Sequence, residues 1–263
     1  MKEIRFFYVP EAGKVQELPT EEATHALRVL RMRTGDEMYL MDGQGVFYHA
    51  EVGMTTNKKC FYHIRETLPQ EKTWRGRIHL AIAPTKMMDR IEWMVEKATE
   101  VGVDEISFLN CKFSERQQIR IDRIEKIVVS AMKQSRKAWK PVVNEMTDFT
   151  SFINTSRQGT KFIAHCYAAA DISGAVPAPA AETPGSEAEA IVSFDTGHPD
   201  LQTLLSATQN SLVLIGPEGD FSIEEVRLAL SLGFQSVSLG PSRLRTETAA
   251  LTAVHLMNLA KRK

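Results

Sequence analysis

Short apolar runs separated by polar turns occupy the chain up to about Arg75, and this pattern is typical of β-strands. The turn Asp42-Gly43-Gln44-Gly45 has the composition of a hairpin loop. Thr24–Met32 places apolar residues on one side and predicts a short helix. The predicted strands are Ile4–Val9, Glu37–Met41 and Val46–Val52. So many short strands in so little chain predict a small β-barrel over residues 1–72, ending in a polar linker around Leu68–Trp74.

After Arg75, short apolar runs alternate with longer stretches of helical periodicity. The predicted strands are Ile78–Ala83, Glu105–Leu109, Lys161–Ala164, Leu212–Ile215 and Ser236–Leu239. The predicted helices are Met88–Gly102, Arg120–Trp139, Ser222–Leu232 and Thr246–Lys261. Strands that alternate with helices predict an α/β domain over residues 73–263, with a mostly parallel sheet flanked by helices.

Residues 168–190 differ from the rest of this domain. They are dominated by Ala, Pro, Glu, Ser and Gly and show no periodicity. This composition predicts a flexible surface insertion. Whether Ile191–Phe194 is a strand or part of the insertion stays open at this level.

Charge is separated along the chain, although the net charge is only −1. Lys112–Lys140 holds nine Lys or Arg residues against three acidic ones, whereas Tyr167–Asp200 holds six acidic residues and no Lys or Arg. The basic segment suits a nucleic-acid phosphate contact and equally suits a solvated helix face.

The three cysteines, Cys60, Cys111 and Cys166, are far apart, and no Cys or His cluster has the spacing of metal ligands. We therefore expect reduced cysteines, a cytoplasmic location and no metal site. No apolar run reaches the roughly 18 residues of a membrane span, and the N-terminus lacks the apolar stretch of a signal peptide. We therefore expect no membrane association.

The first segment with candidate chemistry is the turn Gly216-Pro217-Glu218-Gly219-Asp220, which follows an apolar strand. Ser222 and Glu225 then have the spacing of a capping box. Ligands bind at the carboxyl ends of parallel strands, although an ordinary strand-to-helix turn also explains the motif. The segment matches neither the dinucleotide-binding nor the P-loop glycine pattern, which argues against an NAD-dependent enzyme.

The second segment, Ser238–Ala250, also ends a strand in a Gly-Pro turn. Two arginines, Arg243 and Arg245, follow before the Thr246–Lys261 helix, and Thr246 is predicted to cap that helix. Glu247 suits the positive end of the helix as a purely structural residue. Arg245 falls at the mouth of the sheet, which indicates a functional arginine.

These segments resemble the RsmE family, the uridine-N3 methyltransferases of small-subunit ribosomal RNA in the SPOUT superfamily. Gly216–Gly219 and Leu244–Ala249 are similar to its most specific motifs, and the resemblance spans nearly the whole chain. The further matching segments are Arg5–Phe7, His25–Gly43, Lys97–Val103 and Lys133–Arg136.

The resemblance implies a PUA-like RNA-binding β-barrel followed by a SPOUT domain with a C-terminal trefoil knot, a rare exception to the rule against threaded chains. It implies S-adenosylmethionine as cofactor, a homodimer, and a decoding-region uridine of 16S ribosomal RNA in the small ribosomal subunit as substrate. The implied cofactor-binding residues are His165, Leu214, Ile215, Gly216, Glu218, Gly219, Ser238, Leu239, Gly240 and Leu244.

The implied catalytic residues are Arg245 and Glu247. Arg245 would stabilise charge on a uracil oxygen, and Glu247 would either act as base or orient Arg245. Basic residues would hold the RNA backbone without reading sequence. In the first domain these are Arg5, Arg28, Arg31 and Arg33, and in the second Lys86, Lys133 and Arg136.

The sequence departs from the family at three places. Asp220 stands where many members have a second glycine, Ser242-Arg243 replaces an Arg-Ile order, and the insertion has no counterpart.

Two alternative functions stay open. One is a SPOUT methyltransferase for another RNA site, a ribose 2′-hydroxyl or a tRNA, and the other is a non-catalytic RNA-binding factor in ribosome assembly.

Overall fold

The computed structural model describes residues 5–155, 157–173 and 196–263. The chain divides into two compact units. The first comprises the chain up to Thr73 together with Lys126–Lys140, and the second comprises Trp74–Glu125 and Pro141–Lys263.

The first unit contains a four-stranded sheet in the order β1-β2-β3-β4. The strands are β1 Phe6–Tyr8, β2 Glu37–Met41, β3 Val46–Thr55 and β4 Cys60–Pro69. β1 runs parallel to β2, and the other pairs are antiparallel. Helix α1, Thr20–Thr24, continues into a π-helical turn over His25–Val29. The buried core of this unit includes Phe7, Met38, Leu40, Ala50, Val52 and Tyr62.

The three predicted strands are therefore confirmed, but the start of the predicted linker is wrong. Leu68 pairs with Phe47 and Pro69 with Val46, so β4 continues to Pro69. Proline has no N–H to donate, which suits the last residue of a strand.

The second unit contains a six-stranded, fully parallel sheet in the order β10-β8-β9-β5-β6-β7. Its strands are β5 Ile78–Ile82, β6 Glu105–Asn110, β7 Val142–Asp148, β8 Thr160–Ala164, β9 Ser211–Ile215 and β10 Gln235–Val237. The helices that follow α1 are α2 Met88–Val101, α3 Ile121–Ser135, α4 Phe149–Asn154, α5 Ala169–Ser173, α6 Leu201–Leu204, α7 Ile223–Ser231 and α8 Thr246–Lys261. Every residue of β5 and β9 is buried, as their continuous apolar runs predict for central strands. The predicted α/β fold with a parallel sheet flanked by helices is confirmed.

Helix α3 begins in the second unit and ends in the first. The predicted helix Arg120–Trp139 is too long at its C-terminus, because Arg136 adopts a left-handed φ of 53° that ends the helix. The chain then pairs with the hairpin turn of the first unit. Gly45 N–H donates to Ala138 O at 2.9 Å, and Lys140 N–H donates to Gly43 O at 2.9 Å.

Part of the predicted insertion can be described. It begins with α5, and Arg227 Nε donates to Ile172 O at 2.9 Å. Residues 174–190 and the Ile191–Phe194 run lie outside the described residues. Among the helices that the structure describes, none is both long and apolar enough to span a membrane.

A buried polar network joins β5, β6 and β7. His79 Nε2 lies 2.9 Å from Ser107 Oγ, and its Nδ1 lies 3.4 Å from Glu105. Asn144 donates to both Glu105 and Ser107, at 2.7 and 2.8 Å. Burial lowers the pKa of the His79 imidazole, and the guanidiniums of Arg157 and Arg77 act in the same direction, which together bring it to about 3. His79 is therefore neutral at ordinary pH.

This network makes the stability of the second unit sensitive to acid. An unfolded chain protonates His79 as the pH falls through about 6.5, whereas the native protein does so only near pH 3. The unfolded state binds more protons between these values, so the free energy of unfolding should fall as the pH falls. The contribution of His79 to the slope of the unfolding free energy against pH should approach about 1.4 kcal/mol per pH unit. Urea titrations at several pH values should show a shallower slope for His79→Gln.

His255→Gln, at an exposed position of α8, is the matched control and should retain the wild-type slope. Equal pH slopes for wild type and His79→Gln would contradict the assignment.

Candidate active site

A cavity of about 380 Å³ lies at the carboxyl ends of β8, β9 and β10. Its volume is in the range of small-molecule binding sites. Nine of the residues predicted as cofactor-binding or catalytic line it together with Arg245: His165, Ile215, Gly216, Glu218, Ser238, Leu239, Gly240, Leu244 and Glu247. Its position agrees with the rule that parallel sheets bind ligands at this edge.

The turn after β9 carries one side of this cavity. The predicted capping box is confirmed: Ser222 N–H donates to Glu225 Oε2 at 2.8 Å, and Glu225 N–H donates to Ser222 Oγ at 3.3 Å. These bonds fix the start of α7 and hence the end of the turn. Gly216 and Pro217 are buried, whereas Glu218 is exposed and accepts a hydrogen bond from Lys86 N–H at 2.9 Å.

The turn after β10 carries the other side. Gly240 N–H donates to Ser238 Oγ at 3.1 Å, which tightens the turn directly after the strand. Arg245, not Thr246, occupies the N-cap position of α8, so the predicted capping by Thr246 is wrong. The Arg245 side chain is exposed at the cavity, where its guanidinium is accessible to a ligand.

Glu247 is buried with an exposed fraction of 7%, and its Oε1 lies 3.4 Å from Nη1 of Arg90. Arg90 lies on α2, lines the same cavity, and was not predicted from the sequence. The signal was available, because Arg90 follows the carboxyl end of β5, the strand next to β9. The ion pair holds a second guanidinium at the cavity that Arg245 also lines.

His165 supplies a neutral polar group to the wall. Its Nε2 lies 2.8 Å from Ser236 Oγ, while its Nδ1 is buried without a hydrogen-bond partner among the described residues. Burial lowers the pKa of His165 to about 4, and His198, whose ring centroid is 4.8 Å away, adds to this effect. A buried polar atom without a partner is costly unless a ligand or water satisfies it.

Two predicted cofactor residues lie off the cavity lining. Leu214 is fully buried inside β9, and Gly219 is exposed in the turn beyond it. Besides Arg90, Cys166, Thr196, Asp220 and Ser242 also line the cavity, and none of them was predicted as a cofactor residue.

The predicted RNA-binding residues occupy both units. In the first, Arg28, Arg31 and Arg33 are exposed after α1, and Arg5 is half-buried. Lys133 and Arg136 also belong to this unit rather than to the second. Lys133 Nζ lies 2.7 Å from the buried Glu22, and the Arg136 guanidinium lies over the Phe6 ring at 5.6 Å. In the second unit, Lys86 is exposed and pairs with Glu115 at 3.0 Å.

Comparison with known proteins identifies the family of both parts of the chain. The family model described as an RNA methyltransferase domain matches residues 72–258, and the RNA methyltransferase PUA domain matches residues 18–62. A probable rRNA-methyltransferase from Porphyromonas gingivalis is 39% identical to the chain, with a TM-score of 0.82 and 98% coverage of both chains.

Two further relatives carry a more specific name. The ribosomal RNA small subunit methyltransferase E of Neisseria gonorrhoeae, solved bound to S-adenosyl methionine, is 25% identical, with a TM-score of 0.78 and 98% coverage of both chains. The Bacillus subtilis protein of the same name is 25% identical over 95% of this chain and 94% of its own length. The chain therefore belongs to the RNA methyltransferase family, as a member of its RsmE group.

Proposed function

We propose that the protein transfers a methyl group from S-adenosylmethionine to N3 of a uridine in 16S ribosomal RNA, within the decoding region of the small ribosomal subunit. The observation that carries the proposal is the cavity at the ends of β8, β9 and β10, with the Arg245 guanidinium at its edge. Family membership and the cofactor named for the Neisseria relative support it.

The residues of the cavity fit this cofactor. The turns after β9 and β10 offer backbone groups around Gly216 and Gly240, and a Cβ at Gly240 would meet nothing within 4 Å. The Nδ1 of His165, which has no hydrogen-bond partner in the described part of the chain, is one polar atom that a bound nucleoside can satisfy. The apolar walls of Ile215, Leu239 and Leu244 suit the faces of a purine ring.

The cofactor supplies a methyl group that its positively charged sulfur activates for transfer to a nucleophile. The cavity walls would position the uracil so that its N3 can form a bond to this methyl carbon. N3 carries a weakly acidic proton, which must leave as the bond forms. Negative charge then develops on the uracil oxygens.

The two guanidiniums at the cavity stabilise that charge. Arg245 acts from the exposed N-cap of α8, and Arg90 is held in place by its ion pair with the buried Glu247. Preorganised donors aimed at developing charge are among the largest contributions to enzymatic rates. We assign Glu247 the role of orienting Arg90. The N3 proton passes to water while the two guanidiniums stabilise the uracil anion.

The RNA must present an unstacked base to this cavity. The exposed Arg28, Arg31 and Arg33 of the first unit are suited to phosphate contacts, which position RNA without reading its sequence. The homodimer that the resemblance implies belongs to the same proposal, and light scattering of the purified protein tests it.

Methyl transfer to defined substrates tests the whole proposal. The protein is incubated with labelled S-adenosylmethionine and with small ribosomal subunits or free 16S ribosomal RNA that lack the modification, and the nucleosides are analysed. We expect N3-methyluridine, and the preferred substrate shows when in subunit assembly the enzyme acts. Methylation of a ribose 2′-hydroxyl or of tRNA would replace the uridine-N3 assignment. Cofactor binding without transfer to any substrate would favour an assembly factor.

A further inference from the structure

The turn after β9 is connected to loops on both sides, because β9 lies between β8 and β5 in the sheet. Its two carboxylates each bind one neighbouring loop. Glu218 Oε1 accepts from the backbone N–H of Lys86, beyond β5, at 2.9 Å. Asp220 Oδ2 accepts from the backbone N–H of Cys166, beyond β8, at 2.7 Å.

Asp220 makes this connection from a left-handed backbone with φ of 67°, a conformation that Asp tolerates better than most residues. Its second oxygen, Oδ1, accepts from Phe221 N–H at 2.7 Å, so both carboxylate oxygens bind backbone donors. The Tyr167 hydroxyl donates to Phe221 O at 2.8 Å. Two hydrogen bonds therefore hold the loop at Cys166 and Tyr167 against the turn at Asp220 and Phe221.

This loop forms part of the cavity wall. Ala164, His165 and Cys166 line the cavity on the β8 side, and Asp220 lines it on the β9 side. We propose that Asp220 is a positioning residue that clamps the Cys166 loop onto the β9 turn and thereby fixes the wall of the cofactor cavity. The identity of the cofactor rests on the proposed function, whereas the clamp is a property of the free protein.

Cys166 provides a direct readout of the clamp. It is the exposed member of the three cysteines, since Cys60 and Cys111 are buried. Burial raises the pKa of its thiol, the charge and hydrogen bond of Asp220 raise it too, and Arg243 opposes them, which together give a pKa of about 11. Removal of the Asp220 carboxylate should therefore lower this pKa and increase the thiolate fraction at a given pH.

Two variants and one control test the clamp. Asp220→Asn keeps a residue that tolerates the left-handed backbone but loses the charge and one of the two acceptor oxygens. Asp220→Gly keeps the backbone conformation and loses both hydrogen bonds. Glu224→Gln is the matched control, because it removes an exposed carboxylate of α7 that pairs with Lys112 instead. For each protein, the rate of Cys166 alkylation by iodoacetamide is measured without cofactor from about pH 7 to about pH 11.

The affinity for S-adenosylhomocysteine is measured on the same variants by calorimetry. We expect the midpoint of the alkylation profile to fall in both Asp220 variants. Alkylation near pH 8 should be about three- to fourfold faster for each unit of pKa lost, because the thiolate fraction rises while the nucleophilicity of the thiolate falls. Affinity should fall about fivefold in Asp220→Asn, the equivalent of one hydrogen bond, and further in Asp220→Gly. Glu224→Gln should match wild type in both measurements.

Unchanged alkylation profiles in both Asp220 variants would overturn the clamp. Loss of affinity with an unchanged Cys166 profile would also overturn it, because Asp220 would then act on the ligand directly. The alkylation result does not depend on methyl transfer, so the clamp and the proposed function can fail separately.

Discussion

Replacement of Arg245 by alanine should reduce methyl transfer by about 100- to 1,000-fold and leave the affinity for S-adenosylmethionine within a few-fold of wild type. The magnitude is that of removing one preorganised donor from developing negative charge. The guanidinium is exposed at the cavity and caps no helix through its side chain, so its loss should not disturb the fold. Single-turnover rates at saturating cofactor measure the effect, and calorimetry measures cofactor affinity.

Arg243→Ala is the matched control, because Arg243 is an exposed arginine of the same turn that lines the same cavity. It should retain most of the single-turnover rate. If Arg245→Ala instead loses cofactor affinity in proportion to activity, Arg245 is a binding residue of the pocket and the catalytic assignment is wrong.

Replacement of Gly45 by alanine should destabilise the first unit by about 3–4 kcal/mol. Gly45 has φ of 107°, and an added Cβ would lie 2.3 Å from Cζ2 of Trp139. The left-handed backbone costs about 1–2 kcal/mol for a non-glycine residue, and overpacking adds about 1–3 kcal/mol. The new methyl group would push Trp139 and its neighbours away from the hairpin turn. Urea titration followed by tryptophan fluorescence measures the loss.

Gly35→Ala separates the cost of the left-handed backbone from the cost of overpacking. Gly35 has φ of 89°, but a Cβ there would meet nothing within 4 Å. This variant should therefore lose only the backbone contribution, about 1–2 kcal/mol. Equal losses of unfolding free energy at both positions would show that Trp139 moves without cost and that its packing on the hairpin turn contributes little.

The elements that the sequence predicts well are those with a strong apolar signal. The central strands β5 and β9 are buried throughout, and α2 and α8 have the periodicity of helices that cover a sheet. β7, Val142–Asp148, was not predicted at all. It is an edge strand with no fully buried residue, so its sequence alternates little between apolar and polar positions.

In the candidate site, the sequence located the turns but not the pairings between distant side chains. The turns after β9 and β10 could be located because each follows an apolar strand and contains glycine and proline. The pairing of Glu247 with Arg90 could not be predicted, since it joins residues more than a hundred positions apart through the sheet order. The sequence marks Asp220 as unusual, but only the structure shows that its carboxylate binds the loop after β8. The trefoil knot stays a prediction of the resemblance.

The first unit is built from two separate segments of the chain, and this delays its folding during synthesis. Because Lys126–Lys140 belongs to it, this unit is not a continuous piece of chain and is incomplete when Thr73 leaves the ribosome. Domains usually fold as units during synthesis, at about 5–20 residues per second. The hairpin turn at Gly43 and Gly45 must therefore wait on the order of ten seconds for Ala138 and Lys140 to be made. An isolated N-terminal fragment that ends near the linker would lack these partners permanently, so the first unit should be studied within the full chain.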